Sequence, residues 1–219
     1  MERRIGFVGC YSHDIILLLA KVLGYLGKNV VLTDRNKRHI LRASLPVPEG
    51  FDFRKEKLEY DGFFYGEQMC TVSDLTRYDV ELIDFGMEAE TDDFIGDIEF
   101  VVVTDLLPHH MDRILKCNFR RDLVKVCVMR DVFHDFCRKE KSIKDFLQKF
   151  PNREEIFLPP DFRDTENRYV CEMMYEYSVK RASWEMQEVI FRLVGFCYSE
   201  YSEKMLRQKI REKERRRYR

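Results

Sequence analysis

The sequence predicts one α/β domain of three layers, in which a twisted, mainly parallel sheet carries helices on both faces. Apolar runs of strand length alternate with segments of helical period, which is typical of βαβ crossover units. The first two strand-like runs, 5–10 and 30–33, are apolar at consecutive positions, as are strands buried on both faces of a parallel sheet. No repeat or flexible linker interrupts the chain, so we expect a single domain over 1–198 and a basic C-terminal helix or tail over 199–219.

Apolar periodicity and capping residues define the individual elements. Strands are predicted at 5–10, 30–33, 78–85, 98–104, 123–130 and 155–158. Helices are predicted at 14–26, 108–116, 141–150 and 185–196. Ser12 is expected to cap the first helix, and Gly27 to end it with a left-handed residue. The segment 45–66 is rich in proline and glycine, so we expect a loop with short elements there.

The composition describes a soluble globular chain and excludes several other classes. Of its 219 residues 45% are hydrophobic and 35% are charged, and 38 Lys and Arg balance 39 Asp and Glu, so the net charge indicates no partner. The seven cysteines are dispersed without a CxxC pair, which favours neither a disulfide framework nor a zinc site. The longest apolar run, 15–20, is too short to span a membrane, and a strand begins too early for a signal peptide. We therefore expect a cytoplasmic protein.

Positive charge is concentrated at the C-terminus. Residues 199–219 contain nine Lys and Arg against four Glu, which leaves the rest of the chain acidic. Such a run attracts anionic lipid or nucleic acid, and a solvated helix or a disordered tail is the alternative. Its apolar residues, Met205, Leu206 and Ile210, are too few for deep insertion into a membrane.

The loop after the first strand, Gly9-Cys10-Tyr11-Ser12-His13, lies where α/β folds bind ligands. A phosphate loop of the form G-x-x-x-x-G-K-[ST] uses glycines to wrap phosphates, lysine to neutralise them and a hydroxyl to hold magnesium. This loop keeps one glycine and one hydroxyl but has no lysine. Cys10 and His13 are also spaced as a thiol and an imidazole that could interact, but a buried structural cysteine is the commoner reading.

A dinucleotide-binding loop fits less well. The pattern G-x-G-x-x-G starting at Gly9 requires glycines at two positions that hold Tyr11 and Asp14. Asp14 also places negative charge where a pyrophosphate would lie. In favour of this reading, Asp34 ends the second strand where a ribose-binding acid belongs, although a capping or surface aspartate is commoner there. An NAD(P)-binding Rossmann protein therefore stays as a further alternative.

Three segments together resemble the ParA/MinD family of P-loop proteins. They are 5–34, which ends in GKNVVLTD; 77–86, RYDVELIDFG; and 97–115, DIEFVVVTDLLPHHMDRIL. Tyr78, Asp79, Ile83 and Asp84 match the family strand that supplies the Walker B acid, and Gly86 is roughly in register with a family glycine. The resemblance runs from 5 to about 195, and it implies a P-loop NTPase-like fold with strands in ParA/MinD order.

The sequence departs from the family at the phosphate loop. The family's two Walker A lysines fall near Ser12 and Phe7, and neither lysine is present. Because hydrolysis in this class depends on lysine charge and magnesium, the resemblance is to degenerate, pseudo-ATPase members, such as localisation factors of pilus and secretion systems. The resemblance implies a remnant nucleotide site that has no catalytic or metal-ligating residues. ATP or ADP is the one cofactor that such a site could still bind. The residues of this site are Gly9, Cys10, Tyr11, Ser12, His13, Asp34, Asp84 and Gly86.

The function expected from this resemblance is non-catalytic. It is a positioning or scaffold protein for a membrane-associated pilus or secretion apparatus in a bacterial cytoplasm, or peripheral at the inner face of the membrane. Its partners would be proteins of that machine or a second copy of the chain. The alternative is a nucleotide-dependent switch or ATPase with an atypical loop, using Ser12, His13, Asp34 and Asp84. His109 and His110 are adjacent and lack an evident third ligand, so no metal site is expected.

Overall fold

The computed structural model describes residues 3–53, 56–71, 74–89, 98–133, 135 and 139–216. The strands are β1 (Arg3–Gly9), β2 (Val30–Asp34), β3 (Leu58–Tyr60), β4 (Phe63–Gly66), β5 (Val80–Gly86), β6 (Glu99–Thr104), β7 (Val124–Arg130) and β8 (Glu154–Leu158). The helices are α1 (His13–Tyr25), α2 (Ile40–Ala43), α3 (Pro108–Lys116), α4 (Lys141–Leu147), α5 (Phe162–Met174), α6 (Trp184–Cys197) and α7 (Glu203–Arg216). Short 3-10 turns occur at Asp74–Thr76 and Arg121–Leu123.

The strands form one sheet in the order β3-β4-β2-β5-β1-β6-β7-β8. Neighbouring strands are parallel except β3 and β4, which pair antiparallel at one edge. The mainly parallel α/β fold predicted from the sequence is therefore confirmed. Because β5 lies between β1 and β2, the order differs from the dinucleotide-binding fold, whose first two strands are neighbours.

Helices cover both faces of the sheet and create two separate cores. One core contains apolar side chains of α1, α6 and α7. The other contains apolar side chains of α3 and α4. This is the expected three-layer arrangement, and it leaves the carboxyl ends of the central strands as the edge where loops from both layers meet.

The observed elements differ from the expected ones mainly in two places. The segment 45–66, predicted as a loop with short elements, contains the hairpin β3–β4, whose turn at Asp61 and Gly62 has positive φ at both residues, and the short helix α2, which precedes that segment, was not predicted. Helix α5 was not predicted because its buried residues, Asn167 and Cys171, give almost no apolar period. The remaining predicted strands and helices are found, with ends that differ by at most three residues.

The C-terminal helix is part of the packed domain. Leu206 and Ile210 belong to the core that contains α1. Glu214 is buried and accepts hydrogen bonds from the Ser178 hydroxyl (2.9 Å) and the Val179 N–H (3.0 Å). The expectation of a solvated or disordered tail is therefore wrong for the helix up to residue 216.

Within the part of the chain that the structure describes, no helix combines the length and the apolar character needed to cross a membrane.

Candidate functional site

The carboxyl ends of the central strands surround a cavity of about 230 Å³. That volume is slightly below the roughly 300–1,000 Å³ of typical small-molecule pockets. Of the predicted site residues, the cavity is lined by Gly9, Cys10, Tyr11, Ser12, His13 and Asp84. Further lining comes from Asn36, Lys37, Arg38, Ile40, Met87, Glu88, His109, His110 and Arg113. Asp34 and Gly86, which were predicted with the first group, are not among the lining residues.

Gly9 is required by the packing of the loop on β6. Its φ is +132°, and a Cβ atom there would lie 1.8 Å from the carbonyl oxygen of Val103. The next N–H, of Cys10, donates to that same carbonyl at 3.0 Å. The glycine is therefore needed for packing whether or not a phosphate binds. The Cys10 N–H is already hydrogen-bonded within the protein.

Asp14 and Arg130 form a buried ion pair at the N-terminus of α1. The two guanidinium nitrogens of Arg130 donate to the two carboxylate oxygens of Asp14 at 2.9 and 3.0 Å. Arg130 also donates to the carbonyl oxygen of Tyr11, so this peptide turns its oxygen, not its N–H, towards the cation. The Ile15 N–H donates to the Asp14 carboxylate at 2.8 Å. A side-chain carboxylate thus occupies the end of the helix that binds anions in this class of fold.

The electrostatics of this pair favour its charged form. Burial alone raises the pKa of Asp14, but the nearby guanidinium of Arg130 and the hydrogen bonds to the carboxylate outweigh burial and hold the pKa below its ordinary value. The same carboxylate raises the pKa of Arg130, against the effect of burial. Both groups are therefore ionised at neutral pH and neutralise each other.

Ser12 and Asp84 meet beside the cavity. The Ser12 hydroxyl donates to Asp84 at 3.1 Å. Ser12 is the N-cap residue of α1, as predicted, but its side chain makes no capping hydrogen bond to the helix. Asp84 also accepts from the Gly86 N–H (3.0 Å) and the Asn36 side chain (3.2 Å). Burial raises the pKa of Asp84 despite these donors. Gly86 has φ +60°, and a Cβ there would press on Asn36 at 2.7 Å, so this glycine supports the network.

Asp34 is buried and does not line the cavity. Its side chain is buried and accepts from the backbone N–H groups of Asn36 (3.0 Å) and Arg42 (3.2 Å). Burial and the adjacent Asp84 carboxylate raise the pKa of Asp34 to about 6. These contacts make Asp34 an internal support for the turn after β2, so its predicted role as a ribose ligand finds no support.

Cys10 and His13 do not form a nucleophile and base pair. The His13 imidazole contacts Glu172 through Nε2 at 3.0 Å, while its buried Nδ1 has no hydrogen-bond partner among the described residues. Burial and the Asp105 carboxylate raise the pKa of the Cys10 thiol to about 11. The thiol is therefore protonated at neutral pH and a poor nucleophile.

The residues present do not fit the triphosphate of ATP in the manner of a P-loop. A P-loop needs backbone N–H groups and a lysine directed at the phosphates. Here the N–H groups of Cys10 and Ile15 are bonded to other groups of the protein. Tyr11 presents its carbonyl oxygen, which accepts from Arg130. Arg130, the buried cation, is paired with Asp14. Only Ser12 and Asp84 correspond to the hydroxyl and the acid that hold magnesium in such enzymes.

Several site residues were missed by the sequence reasoning. Arg130 ends the strand-like run LVKVCVMR, and a charge at the end of a buried strand is the signal that could have identified it as a site residue. No sequence pattern marks Asn36 as a site residue, because its contact with Asp84 depends on the shape of the turn after β2. Asp105 and His110 meet because the loop after β6 folds back, with the His110 Nδ1 at 2.8 Å from Asp105.

The fold is similar to that of a solved cell division complex. A chain of the MinC:MinD cell division protein complex from Aquifex aeolicus superposes with a TM-score of 0.60 and 12% sequence identity, over 88% of this chain and 96% of that chain. The sequence matches no protein-family model and no curated protein. At this identity the likeness shows the fold alone: a mainly parallel α/β fold similar to that of the matched chain, in line with the resemblance in the sequence.

Proposed function

We propose that this chain is a non-catalytic, ParA/MinD-like positioning or scaffold protein for a membrane-associated pilus or secretion apparatus, and that it works by binding protein partners. The observation that carries the proposal is the Asp14 and Arg130 pair. Its carboxylate occupies the anion-binding end of α1, and its guanidinium donates to both carboxylate oxygens and to the Tyr11 carbonyl. A fold that neutralises this position from within has no need of a nucleotide for its structure.

Protein partners are supported by the kind of assembly in which the neighbouring fold occurs. That solved structure is a complex between two cell division proteins, MinC and MinD. We propose that this chain likewise binds proteins, or a second copy of itself, through the edge formed by the carboxyl ends of β1, β5 and β6. Its place is then the cytoplasm or the inner face of the bacterial membrane.

The outer face of α7 supplies the positive charge that would attract the protein to an anionic membrane. Lys204, Arg211 and Arg215 are exposed there, whereas Leu206 and Ile210 are buried in the core. The helix therefore cannot insert Leu206 and Ile210 into a bilayer without leaving the domain. Attraction to anionic headgroups through the basic face remains available, at about 1 kcal/mol per Lys or Arg near the surface.

Nucleotide binding is the first test of this proposal. We expect ATP and ADP, each with magnesium and at millimolar concentration, to leave the melting temperature unchanged and to give no calorimetric binding signal, because a ligand that prefers the folded state must stabilise it. The matched variants are Asp84→Ala and Asp122→Ala, the latter an exposed acid away from the cavity. Stabilisation by ATP that disappears in Asp84→Ala but persists in Asp122→Ala would contradict the proposal.

Recruitment is the second test. In the cell of origin, proximity labelling from the full chain should mark components of one membrane-embedded machine. Reversal of charge at Lys204, Arg211 and Arg215 to Glu should weaken sedimentation with anionic vesicles while the melting temperature stays unchanged. Truncation after residue 199 is a poor test, because it removes Leu206 and Ile210 from the core. Labelling of soluble proteins alone would reject the membrane-associated machine.

A nucleotide-dependent switch is the second candidate, and the contact between Ser12 and Asp84 favours it. These side chains lie 3.1 Å apart at the positions that hold magnesium in P-loop enzymes. The same calorimetry separates the two functions, since a switch requires ATP or ADP to bind.

A further inference from the structure

Three side chains with metal-ligating atoms converge beside the cavity, apart from the Ser12 and Asp84 contact. They are Cys10, Asp105 and His110, and their candidate ligand atoms all lie within 4.8 Å of one another. Cys10 is 5% exposed, and the side chains of Asp105 and His110 are 12% and 13% exposed. The group is thus nearly enclosed, unlike chance clusters of acids on a surface.

The backbone explains why these residues meet. Strands β1 and β6 are parallel neighbours, and Gly9 is in register with Val103, so Cys10 and Asp105 follow the ends of adjacent strands. Helix α3 starts at Pro108, which places His110 in its first turn. The loop between them is fixed by a hydrogen bond from the Leu107 N–H to the Asp105 carboxylate at 3.1 Å.

The geometry points to a site for one zinc ion, or a similar borderline divalent metal, held by the Cys10 sulfur, the Asp105 carboxylate and the His110 imidazole. Thiolate, carboxylate and imidazole are the three ligand types that zinc uses in proteins. When the metal binds, the Cys10 thiol releases its proton to solvent, and the resulting thiolate and the carboxylate together carry the charge that a divalent cation neutralises. The Asp14 and Arg130 pair, which is neutral as a unit, contributes no competing net charge.

The spacing of the ligand atoms is compatible with a tetrahedral ion. Metal–ligand distances of about 2.0–2.3 Å place tetrahedral ligand atoms roughly 3.3–3.8 Å apart. The His110 Nδ1 is hydrogen-bonded to both Asp105 oxygens, at 2.8 and 2.9 Å. Binding therefore requires these two side chains to separate by less than about 1 Å, which small χ rotations provide.

The fourth position of this site opens towards the cavity. Both Cys10 and His110 line that cavity. Three protein ligands with one open position are the pattern of zinc sites that hold a water molecule or an exogenous ligand, whereas structural sites close with four. A sulfur ligand also discriminates against magnesium, so this site is chemically distinct from the Ser12 and Asp84 contact.

The test uses the purified full chain, stripped of metal with a chelator and titrated with Co²⁺ and then Zn²⁺. We expect one Co²⁺ per chain, a thiolate-to-cobalt charge-transfer absorption, and displacement by Zn²⁺ but not by Mg²⁺. Cys10→Ser and His110→Ala should each lower the affinity by at least about 100-fold, beyond the 10–100-fold that loss of an outer-shell partner costs. Cys117→Ser and His39→Ala are the matched controls and should bind as the wild type does.

Three results would overturn the site. They are the absence of stoichiometric Co²⁺ binding, binding without the thiolate absorption, and affinity in Cys10→Ser equal to that of the wild type. Circular dichroism confirms that each variant is folded. If a variant does not fold, zinc X-ray absorption of the wild-type protein decides the matter, because the site requires one sulfur and at least one imidazole in the coordination shell, and oxygen ligands alone reject it.

Discussion

Two buried ion pairs in this fold have the same chemistry and different surroundings. Arg4 on β1 and Glu81 on β5 lie 3.1 Å apart within the sheet, where Glu81 also accepts from the Thr33 hydroxyl and the Cys70 N–H. Asp14 and Arg130 lie at the carboxyl edge of the sheet, in the first turn of α1 and at the end of β7, and neither lines the cavity. In the first pair the carboxylate is also stabilised by hydrogen bonds from neighbouring groups, whereas in the second pair the carboxylate is stabilised mainly by its arginine.

The two pairs also differ in what they connect. The Arg4 and Glu81 pair connects strands with the segment before β5, since Arg4 also donates to the Cys70 carbonyl at 2.8 Å. The pair at the edge occupies a helix N-terminus, where this class of fold places phosphate. A buried charge is costly without its partner, so the two pairs should respond differently when one member is removed.

The largest effect is expected for Arg130→Met. The variant leaves the Asp14 carboxylate buried without a cation, which should lower the free energy of unfolding by about 3–5 kcal/mol. The double variant Asp14→Leu with Arg130→Met removes both charges and should recover most of that loss. Urea unfolding at pH 7 measures both values. A loss in Arg130→Met that the double variant does not recover would show that the methionine itself, not the orphaned charge, is responsible.

A smaller effect is expected for Arg4→Met. Glu81 keeps its hydrogen bonds from Thr33 (2.7 Å) and Cys70 (2.9 Å), so the free energy of unfolding should fall by about 1–3 kcal/mol. The same urea experiment compares it with Arg130→Met. Equal losses in the two variants would remove the distinction between the pairs.

The smallest effect concerns pH and Asp34. The pKa of Asp34 is raised to about 6 in the folded state, so the folded chain holds a proton that the unfolded chain releases. Stability should therefore fall as the pH rises from 5 to 7, with about 1 kcal/mol of the change due to this residue. Asp34→Asn should flatten the dependence in urea unfolding at both pH values. An unchanged slope would mean that another group, such as Asp84, titrates instead.

The sequence predicted the fold because its signals are local. Strands β1, β5, β6 and β7 are rich in apolar residues over a strand length, and this can be read without knowledge of their neighbours. The hairpin β3–β4 was missed because its short strands gain stability only by pairing, β4 with β2 and β3 with β4. Helix α5 was missed because it buries few apolar side chains.

The candidate site was predicted in part, for the same reason. The loop from Gly9 to His13 and Asp84 follow strand ends, and strand position is readable from the sequence. Arg130 reaches Asp14 across 116 positions, and Cys10 meets Asp105 only because β1 and β6 are adjacent. Contacts of this kind depend on strand order, which one sequence does not specify.

The packing of α7 has a consequence for the synthesis of the chain. Leu206 and Ile210 belong to the same core as α1, and α1 leaves the ribosome well before α7. During translation α1 therefore lacks the cover that α7 provides until α7 has emerged. Because transiently exposed apolar surface favours aggregation, we expect the nascent chain to be prone to it in that interval.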